Sequence, residues 1–245
     1  MFLGILRVFT ENQILRDKVK KNYICKVISI LKEEARKWDV PVVTLMAERS
    51  HDPFKVLIST VLSLRTQDRV TEGASKRLFE LADNPKDMLK LSTEEIEKAI
   101  YPVGFYKVKA RNILGICKDL VERYNSKVPD NMEELLKLKG VGRKTANLVL
   151  SMGYRKHAIC VDTHVHRISN RLGYVRTKNP LETEFALMKK LPKKHWIEYN
   201  SLLVALGQQV CRPISPKCGE CPIERYCEKV GVEKRRKANK YRERV

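Results

Sequence analysis

Four cysteines crowd the C-terminal part of the chain: Cys211, Cys218, Cys221 and Cys227, with six, two and five residues between them. Thiolates are soft ligands, and four of them this close in a reducing compartment imply a bound metal centre. Zinc sites ordinarily use two paired knuckles, each with about two to four intervening residues. Here only Cys218 and Cys221 make such a pair. The longer gaps suit one loop wrapped around a larger object, such as a cubane iron–sulfur cluster. The remaining thiols, Cys25, Cys117 and Cys160, are scattered and read as buried structural residues. An odd total of seven argues against a disulfide framework.

A second constellation concerns phosphate. Leu135 and Leu138 run into Gly140-Val141-Gly142, and Arg143-Lys144-Thr145-Ala146 opens another helix at once. Two glycines one residue apart permit positive φ and close backbone approach. A helix starting there points amide N–H groups outward, a geometry suited to an anion. Arg143 and Lys144 add positive charge. Eighteen residues beyond Lys144 comes Asp162, just before a helical run, where it reads as an N-cap.

The elements that must position these residues are helices. Apolar residues recur at helical spacing over Val27–Trp38, Pro53–Leu64, Thr71–Leu81, Thr93–Ile100, Lys107–Tyr124 and Glu133–Leu138. The pattern continues over Arg143–Met152, Thr163–Leu172, Pro180–Leu191 and Lys194–Leu206. Ser92 with Glu95 is a capping-box signature. Breakers such as Asn84-Pro85, Pro129-Asp130 and Asn179-Pro180 separate the runs. Strand-like alternation is scarce, so the expected class is all-α. The 245 residues carry 49 Lys and Arg against 29 Asp and Glu, a net charge of +20 that favours a polyanionic partner. No apolar run reaches the roughly 18 residues needed to span a bilayer, so no membrane partner is expected. The opening MFLGILRVF has no basic region before it, and reads as an amphipathic start rather than a signal peptide. A monomer in the cytoplasm is the expectation. The basic tail from Glu233 onward is expected to fray.

The hairpin resembles the L-x-G-V-G-x-K-T-A pattern of helix-hairpin-helix DNA glycosylases, with Lys139 where many members have proline. The Val161-Asp162-Thr163-His164-Val165-His166-Arg167 segment resembles that superfamily's second signature, and the cysteine spacing resembles the [4Fe–4S] loop of the endonuclease III family. The resemblance implies base-excision repair of double-stranded DNA carrying a damaged base or abasic site. Lys144 would be the nucleophile, attacking the deoxyribose anomeric carbon to form a Schiff base that breaks the strand by β-elimination. Asp162 would be the catalytic carboxylate. Oxidised pyrimidines such as thymine glycol are the implied substrates.

The same resemblance places two base-flipping loops, at Leu62–Asp68 and Val103–Ala110. Arg65 stands where the family often has glutamine, with Gln67 nearby, and Phe105 stands where an aliphatic wedge is common. Contacts to DNA are further implied for Lys139, Gly140, Val141, Gly142, Arg143, Thr145, His164, Arg212 and Lys217. The implied architecture is two helical domains flanking a DNA-binding cleft: residues 46–156 with the hairpin, and residues 1–45 with 157–245, whose loop 211–227 holds the cluster. Two alternatives stand beside this reading. One is a monofunctional adenine- or thymine-mismatch glycosylase, disfavoured by Lys144 and by Thr60 where the adenine enzymes carry glutamate. The other is a non-catalytic DNA-binding scaffold.

Overall fold

The computed structural model describes residues 23–38 and 52–232, so the opening segment and the basic tail lie outside the described residues. Among the described residues all regular structure is helical, as expected. The chain divides into two units, Val40–Cys160 and Met1–Asp39 with Val161–Val245.

In the first unit, α2 (Pro53–Ser63) opens on an Asp52 cap, whose carboxylate accepts from the Phe54 N–H. Its residues Val56, Leu57, Ile58, Val61 and Leu62 are at most 2% exposed, so this helix is apolar nearly all round and forms the centre of the unit. Around it lie α3 (Asp68–Leu81), α4 (Pro85–Met88), α5 (Thr93–Ile100), α6 (Tyr106–Arg123), α7 (Met132–Leu135) and α8 (Arg143–Leu148). The Ser92–Glu95 capping box forms in both directions. Helix α3 begins three residues before its expected start, because Asp68 complements the helix dipole there. The expected run to Met152 instead passes after Leu148 into a π-turn, Val149–Gly153. That turn packs on α2 so closely that a Cβ at Gly153 would lie 3.0 Å from the Pro53 Cα. Ser151 fills the widened turn by donating to the Asn147 carbonyl at 2.7 Å.

In the second unit, α1 (23–35) carries Ile24, Val27, Ile28 and Leu31 on one face, each at most 1% exposed. Helices α9 (Thr163–Arg171), α10 (Pro180–Lys190) and α11 (Trp196–Gln209) follow, with α9 packed on both α10 and α11. Tyr199 is wholly buried, and its hydroxyl is 3.1 Å from that of Ser169. After α11 the chain loses long helices and closes through two single 3₁₀ turns, Cys218–Glu220 and Glu224–Tyr226.

Candidate functional site

The hairpin is anchored by what it buries. Leu138 and Val141 are 1% and 6% exposed, and the Val141 N–H donates to the Leu138 carbonyl at 3.1 Å. One of its glycines uses the positive φ that the pair permits. Gly140 sits at φ +78°, and a Cβ there would come within 2.7 Å of Asn112 Nδ2. Gly142 is extended, at φ −100° and ψ 177°, and a Cβ there would meet nothing within 4 Å. The protein's own packing therefore explains Gly140 but not Gly142, which leaves the chain open to close approach from outside. Gly142 caps α8 with no side-chain bond to the first turn.

Lys144 lies in that first turn, half-exposed, and its carbonyl accepts the Cys160 thiol at 3.7 Å. Lys139 is exposed and Arg143 half-exposed. Thr145 is 1% exposed, so its side chain belongs to the interior. Val141 too turns its side chain inward.

Asp162 is the N-cap of α9. Its Oδ1 accepts from the backbone N–H groups of His164 and Val165, both at 2.9 Å. The carboxylate is thus held by the helix it starts, with Oδ2 unbonded among the described residues. His164 is half-exposed. Its Nδ1 lies 3.1 Å from an Arg167 guanidinium nitrogen, and any Cβ at Gly207 would fall 2.2 Å from it. The ring is packed against α11.

The four clustered cysteines line one shared pocket, together with Arg171, Val210 and Lys229. Among the described residues no group of His, Cys, Asp or Glu gathers closely enough for one metal ion. Burial pushes the Cys221 thiol up to about 11 and that of Cys227 upward as well, so neither favours a free thiolate. Two arginines one turn apart on α9 brace this loop, and sequence reasoning missed both. Arg171, 8% exposed, donates to Cys211 Sγ at 3.3 Å and to the carbonyls of Arg212 and Pro213 at 2.7 and 2.8 Å. Arg167 donates to the Cys211 carbonyl at 2.9 Å. Their spacing of four residues, aimed at one loop, was the available signal. Arg212 is exposed, whereas exposed Lys217 already pairs with Glu220 at 3.0 Å. Of the scattered thiols, Cys117 and Cys160 are buried, and burial holds Cys117 up at about 12.

The two loops expected to enter DNA stand together. Arg65 and Gln67 are exposed, and Phe105 is 62% exposed. The Arg65 guanidinium carbon lies 5.7 Å from the Phe105 ring centre. Both residues have left-handed backbone, at φ 54° and 58°. Beneath them Lys109, 5% exposed, donates to the carbonyls of Leu62 and Leu64 and to Thr66 Oγ1, at 2.8, 2.6 and 3.1 Å. Burial pushes its ammonium down to about 8. Sequence reading passed over Lys109 because one lysine among many carries no mark of burial.

Residues 58–193 match the family model for the HhH-GPD superfamily of base excision DNA repair proteins. The chain is 53% identical over 177 residues to an endonuclease III of Thermotoga maritima, a stretch covering 72% of this chain and 83% of that one. Among solved structures it is similar to a non-covalent endonuclease III–DNA complex, with TM-score 0.77 and 37% identity over 89% of this chain and 98% of the other. A trapped endonuclease III–DNA covalent intermediate with an estranged adenine matches with TM-score 0.73 and 38% identity, over 86% and 97% of the two chains.

Proposed function

The chain belongs to the endonuclease III family of HhH-GPD base-excision DNA repair proteins and is a DNA glycosylase with lyase activity; on that premise we propose that it removes oxidised pyrimidines from duplex DNA through Lys144. The observation that carries this reading is the hairpin itself. A half-exposed lysine stands two residues past a glycine whose outer side is open, on a strongly basic protein. Backbone and charge suit a phosphate there, and the amine stands beside it.

The neutral Lys144 amine attacks the deoxyribose C1′, and the base leaves with the electron pair of its glycosidic bond, taking up a proton. Opening of the sugar gives a Schiff base, which acidifies the C2′ proton. Loss of that proton expels the 3′ phosphate, breaking the C3′–O bond. Hydrolysis of the Schiff base then returns the lysine. Asp162 is the carboxylate that stabilises positive charge on the sugar and exchanges protons with the amine. Its cap bonds keep it fixed at the start of α9, which suits electrostatic stabilisation. Lys139, Arg143 and the Gly142 backbone grip the flanking phosphates, and Arg212 adds a contact from the cysteine loop. Arg65 and Phe105 fill the space left by the extruded base.

Cys211, Cys218, Cys221 and Cys227 hold a [4Fe–4S] cluster. Three features support the fit: their shared cavity, the Arg171 guanidinium on Cys211 Sγ, and the Lys229 N–H on Cys227 Sγ at 3.4 Å. A cluster held there would supply the cationic charge that keeps buried sulfurs as thiolates, while Arg171 joins the loop to α9.

Borohydride trapping on duplex DNA containing thymine glycol tests the reading. Wild-type protein should give a covalent adduct and strand cleavage, and Lys144→Ala should give neither. Base release without an adduct would instead indicate a monofunctional glycosylase. No reaction on this or on an abasic duplex would leave a DNA-binding scaffold.

A further inference from the structure

Lys109 is an unusual group to bury. Its three N–H donors meet three acceptors: the Leu62 carbonyl, the Leu64 carbonyl and Thr66 Oγ1. No carboxylate is among its partners in the described residues, so neutral dipoles alone offset its desolvation. A methionine would fill similar volume without a charge to bury. What the ammonium adds is geometry: it draws loop 62–66 onto the first turn of α6.

The two loops are joined by more than this one pin. Thr66 Oγ1 accepts from Lys109 and from the Gly104 N–H at 3.2 Å, and donates to the Leu64 carbonyl at 3.3 Å. The loops approach so closely that a Cβ at Gly104 would lie 2.7 Å from the Arg65 carbonyl oxygen. At the tips, Arg65 and Phe105 face each other across that contact, both in a left-handed backbone that side chains rarely adopt. Phe105 is further fixed by its carbonyl, which accepts from the Val108 and Lys109 N–H groups, each at 3.0 Å. Non-glycine residues held in such a backbone persist only where their surroundings over-determine them, and this happens mostly at functional sites.

We propose that Lys109 is a positioning residue that fastens the two loops into one preassembled wedge, so that Arg65 and Phe105 enter the DNA stack together. This rests on the reading above, in which these loops take the place of the flipped base. Insertion as a unit avoids ordering two separate loops on the DNA, so base extrusion depends on Lys109 although Lys109 touches no nucleotide.

The test separates flipping from chemistry. Excision of thymine glycol from a duplex requires the wedge, whereas adduct formation on a single-stranded abasic oligonucleotide does not. Single-turnover excision on the duplex should fall by about 10²-fold in Lys109→Met. A 2-aminopurine beside the lesion should lose its rise in fluorescence, while trapping on the single strand stays within about twofold of wild type. Thr66→Val keeps the buried charge and removes the shared hydroxyl. It should show the same split at about a tenfold loss on the duplex, since it removes three hydrogen bonds, one of them from the ammonium, and leaves Lys109 its two carbonyl partners. Equal losses on both substrates, or unchanged duplex excision in both variants, would overturn the proposal. If the wild-type chain itself gives no adduct on either substrate, the reading of Lys144 fails first and this proposal with it.

Discussion

The cysteine loop and the paired loops at Arg65 and Phe105 both hold irregular backbone in a fixed shape, by opposite means. The paired loops are closed by the protein's own groups, with every Lys109 proton and the Thr66 hydroxyl used. The cysteine loop receives Arg171 on one sulfur and two carbonyls, and its four thiols line one shared pocket. One region is complete as a polypeptide. The other, on the reading proposed above, is completed by the group that its thiols would hold. Order in the first should survive any chelator, and order in the second should not.

Removing a ligand to that group is the strongest way to probe the contrast. Cys221→Ala should abolish the visible absorbance of the cluster and lower Tm by roughly 10 °C, taking about 4 kcal/mol for loss of a tightly bound ligand. Thermal melts alongside iron and sulfide analysis measure both. If instead Cys221→Ala melts with wild-type Tm, the cysteine loop stands on Arg171 and its carbonyls alone, and the contrast collapses.

The two glycines of the hairpin sharpen it at smaller scale. Gly140→Ala forces a side chain into left-handed backbone and against Asn112, so it should destabilise by about 2 kcal/mol. Gly142→Ala has room and an ordinary backbone, so its stability should stay within about 0.5 kcal/mol. DNA affinity should nevertheless fall several-fold, because the methyl group sits where a phosphate is expected to approach. Chemical denaturation and fluorescence anisotropy on an abasic-analogue duplex check the pair. Unchanged affinity in Gly142→Ala would remove that glycine from the phosphate grip.

Much of this was legible in the sequence because it is local. The Ser92–Glu95 box and the Asp162 cap each depend on residues within one turn, and both formed. The cysteine spacing is a local signal too. What escaped depends on distant partners. Lys109 meets residues 43 to 47 positions away, and Arg171 meets a loop 40 to 42 positions on. The burial of Thr145 and the packing of His164 against Gly207 likewise needed the fold. So did the π-turn after Leu148, where close packing of Gly153 on α2 decides the geometry. Periodicity ranks a lysine as surface, and only the assembled fold shows when it is not.

The smallest effect tests whether the paired loops need the charge on Lys109 or merely its bulk. Its folded pKa, about 8, lies below the ordinary 10.5 of an unfolded chain. Below pH 8 both states hold the proton and the cost of burying the charge is fully present. Between the two values the folded protein has released its proton while the unfolded chain retains it, so stability rises with pH. Relative to Lys109→Met, the wild type should therefore gain about 1 kcal/mol between pH 8.5 and 9.5 in denaturant melts. The wedge should move the other way. A neutral amine has two N–H donors for three acceptors, so one loop carbonyl or the Thr66 hydroxyl loses its bond. Flipping, read by 2-aminopurine fluorescence rather than by excision, should weaken over the same interval in which stability grows, and Lys109→Met should show neither trend. If flipping and stability instead rise together, the ammonium acts only as a packed side chain, and the loops are ordered by Thr66 and Gly104 alone.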